Sequence, residues 1–420
     1  TPDPAQEVEE FQDMSTDQST DNIDSEIIEI LEGLDEEGVQ YQDDGSVILG
    51  NAEEEMEDVG FSENLAEVVS KSELNKIYVE LTAAVDNDKS ARSDWEKTYT
   101  DGLKYLGMKF DENRSEPFEG ASGVIHPLLG ESVTQFQAQA YKELLPAGGP
   151  VKTQIVGEYS SETEEQAQRV REFMNYQITH VMEEYDQDLD QMLFYLPLAG
   201  SAFKKVYYDE TLQRAVSKFV APEDLIVPYY ATDLESCPRI THVIKMPENE
   251  VKKLQAIGFY SDIKVEGGND LTSTPGLDSE KEILEGMEPS YDTGEVCHLY
   301  EIHCNLDLEG FEDTNEEGEL TEVKLPYIVT IDTNSEKILS VRRNFEEDDP
   351  MKNKIEFFVH FKFLPGLGFY GFGLTHMIGG LSKASTSIMR QLIDAGTLAN
   401  LPAGFKTRGI RIRDEDTPIQ

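Results

Sequence analysis

Gly366-Leu-Gly-Phe-Tyr-Gly371 spells G-x-G-x-x-G after a strand-like run and before a helical one. In a dinucleotide fold, such glycines bring backbone and a helix N-terminus onto a pyrophosphate. Here Pro365 interrupts the turn, Phe369 and Tyr370 crowd the approach, and no second strand ending in an acidic residue follows. The loop is expected to be a hinge between a strand layer and a helix; a nucleotide-binding enzyme using this loop is the alternative. Cys297-His298 and His303-Cys304 invite a metal reading. Strand alternation puts Cys297 and His303 on one face and His298 and Cys304 on the other, with same-face partners roughly 20 Å apart. Neither pair can share a tetrahedral ion without outside ligands, so structural strand residues are expected.

Other polar stretches are weaker. Asp313-Thr-Asn-Glu-Glu-Gly318 mimics the start of a calcium loop, but its twelfth position is Lys324 rather than a bidentate Glu, which favours a hairpin loop. Glu183, Glu184, Asp186, Asp188 and Asp190 offer paired carboxylates for acid-base work. With no pocket-forming pattern nearby, a solvated face is the expectation. There is no G-x-S-x-G and no Walker-type G-x-x-x-x-G-K-[ST]. Lys406, Arg408, Arg411 and Arg413 concentrate positive charge on one strand-like run, where Gly409 introduces a bulge. Nucleic-acid contact, docking to an acidic partner and a plain solvated edge all remain open for that run.

The element that organises these pieces is a long helix expected over 372–398. Leu374, Ile378, Leu381, Ser385, Ile388 and Leu392 alternate steps of four and three and share one face. His376, Lys383 and Arg390 recur on another face, with Asp394 one turn beyond Arg390 as an ion-pair partner. Gly379, Gly380, Ser382, Ala384, Ala395 and Gly396 are small enough for close backbone approach, so the helix wants neighbours on more than one side. A membrane span is disfavoured, because Lys383, Arg390 and Asp394 would each cost roughly 2.5–3.5 kcal/mol at a bilayer centre.

Residues 1–64 hold no Lys or Arg, so an acidic, disordered arm is expected, with a short amphipathic helix possible at 25–31. Helices are expected from 65 to 200. Trp95, Tyr99, Leu103 and Leu106 share a core face there, and a Ser161/Glu164 capping box opens one of the helices. Mainly strands follow over 201–365, interrupted by a surface excursion at 261–295. Helices, then strands, then one long helix make an α+β chain. The formal charge of −49, from 84 acidic against 35 basic residues, argues against gripping nucleic acid by phosphate neutralisation. It leaves room for a conduit past which DNA slides. Three cysteines suggest no disulfide scaffold and fit a reducing cytoplasm. The acidic N-terminus shows no signal-peptide pattern. A start at Thr1 and an end at Gln420, just past a strand-like run, suggest a fragment of a longer protein.

The run YGFGLTHMIGGLSKASTSIMRQLIDAGTLANLPAGFKTRG resembles the stem-helix region of tailed-bacteriophage portal proteins, the head-to-tail connectors, near their podovirus-type branch. GASGVIHPLLGESVTQFQAQAYKELLP resembles the family's first wing helices, and DQMLFYLPLAGSAFKKVYYD its helix-to-hairpin step. APEDLIVPYYATDLESCPRITHVIKMPENEVKKL resembles a later wing segment. The resemblance spans roughly 88–413 and rests on the order of these pieces. It implies a wing over 65–365, a hinge and first stem helix over 366–400 and the start of a clip at 401–420. It implies a ring, usually of twelve copies, at one capsid vertex of the virion, assembled in the host cytoplasm. Double-stranded DNA would pass through the channel, and terminase, capsid and scaffolding proteins, and tail adaptors would be partners. The subunit would do no chemistry and need no cofactor or metal. The clip residues Lys406, Arg408, Arg411 and Arg413 would face terminase or adaptors.

Overall fold

The computed structural model of the chain describes residues 39–41, 47–49, 60–108, 121–265, 267–268, 275–286, 296–314 and 320–400. Two compact units separate at Thr1–Val59 and Gly60–Gln420. In the first, β1 (Val39–Tyr41) pairs antiparallel with β2 (Val47–Leu49). The 25–31 helix expected there lies outside the described residues.

The second unit carries helices before Gly200 and mainly strands after it, an α+β arrangement. Helix α1 (Lys71–Ala91) starts at Ser70, whose side chain accepts from the Glu73 amide. It ends at Arg92, which leaves helical geometry before α2 (Ser93–Lys104). Arg92 anchors this break, because its buried guanidinium donates to the carbonyls of Glu223 and Leu225 at 2.6 and 3.0 Å. Next come α3 (Leu128–Leu144), α4 (Ser161–Tyr176) and α5 (Tyr185–Ala199). The α4 capping box is Ser160 with Thr163, one residue ahead of the Ser161/Glu164 pair expected. A π turn at Gln177–Val181 follows α4 and separates it from α5.

Beyond Gly200, β3 (Ser201–Asp209) and β4 (Arg214–Val220) form the expected hairpin. The short β5 (Leu225–Ile226), then β6 (Arg239–Pro247), leads to α6 (Glu248–Ala256) and α7 (Pro275–Glu285). Strands β7 (Val296–Leu306), β8 (Leu325–Asp332), β9 (Lys337–Arg343) and β10 (Phe358–Lys362) precede α8 (Leu374–Asn400). One sheet runs β10-β3-β4 and the other β5-β6-β7-β8-β9, with antiparallel neighbours throughout. The 261–295 stretch is more than a surface excursion: Leu277 of α7 is fully buried in the helical core with Tyr99, Leu103, Leu129 and Leu198. Each such side chain contributes about 1.5–3 kcal/mol by leaving water. Trp95 packs at the edge of this core, as the sequence suggested.

Asn64, assigned to the acidic arm by composition, is part of this body. Its amide donates to the Leu339 carbonyl and its oxygen accepts from the Val341 amide. Nearby, the Phe61 and Phe345 rings meet edge to face at 5.4 Å.

Candidate functional site

Helix α8 is positioned by a junction of bare backbones. Gly200 caps α5 at φ 85°, a left-handed conformation that glycine adopts without strain. A Cβ there would come within 2.3 Å of the Gly371 carbonyl, and one on Gly371 within 2.4 Å of the Gly200 carbonyl. Ser201 Oγ accepts from the Gly371 amide at 2.8 Å, and Thr375 Oγ1 donates to the Leu198 carbonyl at 2.9 Å. Aromatic residues seal the junction. Phe369 stacks on His360 at 4.5 Å and Tyr370 on Trp95 at 4.4 Å, while the Tyr370 hydroxyl donates to the Leu225 carbonyl. The 366–371 loop thus spends its glycines on protein backbone. A Cβ on Gly366 would sit 2.2 Å from the Tyr370 carbonyl, and only Gly368 has open space around it. This geometry favours a rigid junction over a phosphate cradle.

Helix α8 then extends about 40 Å at 1.5 Å per residue. The side that the chain itself covers is small and polar: Thr375, Gly379, Ser382 and Thr386 are its buried residues. Their spacing of four, three and four gives a continuous face that sequence reasoning missed as a whole. Only Gly379 and Ser382 had been noted, for their size. A strap at 121–126 lies along the next face. The His126 amide donates to Thr386 Oγ1 at 3.0 Å and the Ser122 amide to Asp394 Oδ1 at 2.7 Å. Arg390 Nε donates to the Val124 carbonyl at 2.7 Å. Arg390 and Asp394, paired with each other in the sequence reading, thus both hold this strap. His376 Nδ1 accepts from the Gly373 amide at the helix start, and Lys383 is exposed.

The apolar stripe divides along its length. Leu374 and Ile378 pack against the helical core, and Ser385 is half-buried. Leu381, Ile388 and Leu392 are 62, 58 and 69% exposed, with Met377 and Leu398 beside them at 60 and 52%. At 100° per residue this outward stripe lies roughly 150° around the helix from the buried Thr375–Thr386 face. Lys406, Arg408, Arg411 and Arg413 lie outside the described residues.

The chemical candidates resolve into scaffold. Glu184 takes a two-pronged bond from Arg214 at 2.7 and 3.0 Å; Asp188 accepts from the Phe219 amide at 2.6 Å. Asp186 accepts from the Tyr141 hydroxyl and Asp190 from Gln137. Glu184 and Asp188 thus pin α5 to β4, while Glu183, Asp186 and Asp190 are exposed as a solvated face requires, the last two bonding to α3 at the surface. Cys297 joins a core cluster with Val251, Tyr260 and Leu339. His303 Nε2 lies 2.8 Å from Glu301 Oε1, and the same carboxylate meets Lys205 Nζ at 2.6 Å, bridging the two sheets. Burial opposes the charge on Glu301, but Lys205 and His303 outweigh it and hold the carboxyl well below its usual range. Asp313 is engaged by Lys352 and Thr321, and Thr314 bridges Leu320, as a hairpin loop requires. Among the described residues no three His, Cys, Asp or Glu side chains converge to hold a metal ion. No helix among them is long and apolar enough to cross a membrane.

Fold and site together define an α+β chain that ends its described part in one long helix with an uncovered apolar face. A scan against protein-family models finds no match, and a search of curated proteins finds no significant one.

Proposed function

We propose that this chain is the subunit of a ring that assembles through α8, and that the ring is a phage portal. It would sit at one capsid vertex, pass double-stranded DNA during packaging and ejection, and dock terminase and tail adaptors. The observation that carries the reading is the outward stripe of Leu381, Ile388 and Leu392. Contiguous exposed apolar surface on a long helix marks an interaction site. The chain's own contacts take the small-residue face, the strap and the first two stripe positions, which leaves Leu381, Ile388 and Leu392 open to a partner. Helix α8 would then be the first stem helix, and the preceding body the wing. A charge of −49 suits a passage that must not bind phosphate, because like charge prevents contacts that would stall sliding. Lys406, Arg408, Arg411 and Arg413 would serve docking to an acidic partner surface.

Native mass measurement of the full protein and of Leu381→Asp tests the assembly role. The wild type should show a large closed oligomer. The variant should lose it while keeping its melting transition, since residue 381 is exposed within one chain. A normal oligomer from the variant would show that the stripe is not the contact.

A further inference from the structure

Helix α8 has two unequal halves. Over 374–386 it lies against the body: Thr375, Gly379, Ser382 and Thr386 are buried, and Leu374 and Ile378 pack on the helical core. Over 387–400 it buries no residue. This outer half also contains Ser387, Ile388, Ile393, Gly396 and Thr397, none of them a strong helix former. A stretch this short, with no face covered by the core, is marginal as a helix in water.

The 121–126 strap supplies what the core does not. Its His126 amide meets Thr386, where the buried face ends, and its Ser122 amide meets Asp394 at 2.7 Å. Between them, Arg390 Nε donates to the Val124 carbonyl at 2.7 Å and Nη2 to the Gly123 carbonyl at 3.4 Å. Strap and helix thus run antiparallel, and their lengths match. The rise of the helix from Thr386 to Asp394 is about 12 Å. Extended backbone from His126 to Ser122 reaches about 13 Å, so the strap has no slack. Both its ends are fixed. Ala121 is buried, and His126 leads through Pro127 into α3, whose Leu129 belongs to the helical core. The grip itself is polar, and the strap has no regular secondary structure of its own. It can let go of the outer half without disturbing the core.

We propose that the strap is a releasable clamp on α8. Engaged, it keeps the outer half helical and in line with the inner half; released, it lets that half fray. Ile388 and Leu392, two of the three stripe residues, lie in the outer half, so the clamp sets whether the stripe is continuous. This link to assembly rests on the ring reading, whereas the clamp itself does not.

Hydrogen exchange of the full chain carrying Leu381→Asp, with no neighbouring copy to shield the helix, tests the clamp. Adding Arg390→Met removes two strap bonds. It should speed exchange over 388–400 by about tenfold or more and leave 374–386 and the melting temperature unchanged. Asp394→Ala should act alike, while Asp394→Asn, which retains an acceptor oxygen, should stay near the parent. Equal exchange over 388–400 in the parent and Arg390→Met, or acceleration of both halves together, would overturn the clamp. Without Leu381→Asp, Arg390→Met should weaken ring formation. Intact rings from a variant whose outer half exchanges fast would overturn the link to assembly alone.

Discussion

Lys205 and Glu301 meet across the seam between the two sheets, with both carboxylate oxygens at 2.6 Å from the ammonium. Removing one partner of a buried pair leaves an uncompensated charge, a loss of about 3–5 kcal/mol. Lys205→Met should therefore lower stability by about that much in urea unfolding. Adding Glu301→Leu should recover most of the loss, and a double variant no better than the single would contradict the bridge. His242 faces the same carboxylate, and burial pushes its pKa from 6.5 down to about 3. The unfolded chain takes up that proton near pH 6.5, whereas the folded chain does not until about pH 3. Stability is thus undiminished above pH 6.5 and falls as pH drops towards 3, and the depressed Glu301 acts with the same sign in acid. By pH 5, His242 alone should cost about 2 kcal/mol. Melting temperatures should be flat between pH 7 and 8 and decline below 6.5; a flat profile down to pH 4.5 would contradict this. Little of this scale was legible in the sequence. The solvated face expected over 183–190 holds for Glu183, Asp186 and Asp190 but not for Glu184 and Asp188, whose partners Arg214 and Phe219 are remote in the chain.

At the level of elements, the start of the folded body can be tested by truncation. A chain beginning at Gly60 keeps every hydrogen bond of Asn64, while one beginning at Leu65 loses its bonds to Leu339, Val341 and Ser261. Each buried bond left unmade costs about 1–3 kcal/mol. The shorter chain should melt several degrees lower, and equal melting temperatures would show that Asn64 is dispensable. Composition read Asn64 into the acidic arm because an isolated Asn gives no signal of burial. Periodicity located α8 well, at 372–398 against the observed Leu374–Asn400. It also found the stripe but not which side the chain covers itself. That side is set by the close approach of Gly102 to Thr375 and by the hydrogen bonds of Thr375 and Thr386, which hydrophobicity does not report. The α7 docking was missed for a related reason: one buried leucine, Leu277, anchors it within a polar stretch.

For the whole molecule, the central claim is that copies of an acidic chain close into a ring around a passage. The order of helices, strands and final helix was legible, because hydrophobic period changes at Gly200 and again near residue 372. Which part of the stripe the chain leaves exposed was not, since an exposed apolar stripe and a buried one share the same spacing. Self-repulsion at −49 predicts that association strengthens with salt, as screening relieves it faster than it weakens the apolar contacts. Electron microscopy of the full protein in negative stain, at moderate salt, tests the claim most directly. The account predicts closed rings with a central hole; a field of separate monomers at high concentration would contradict it.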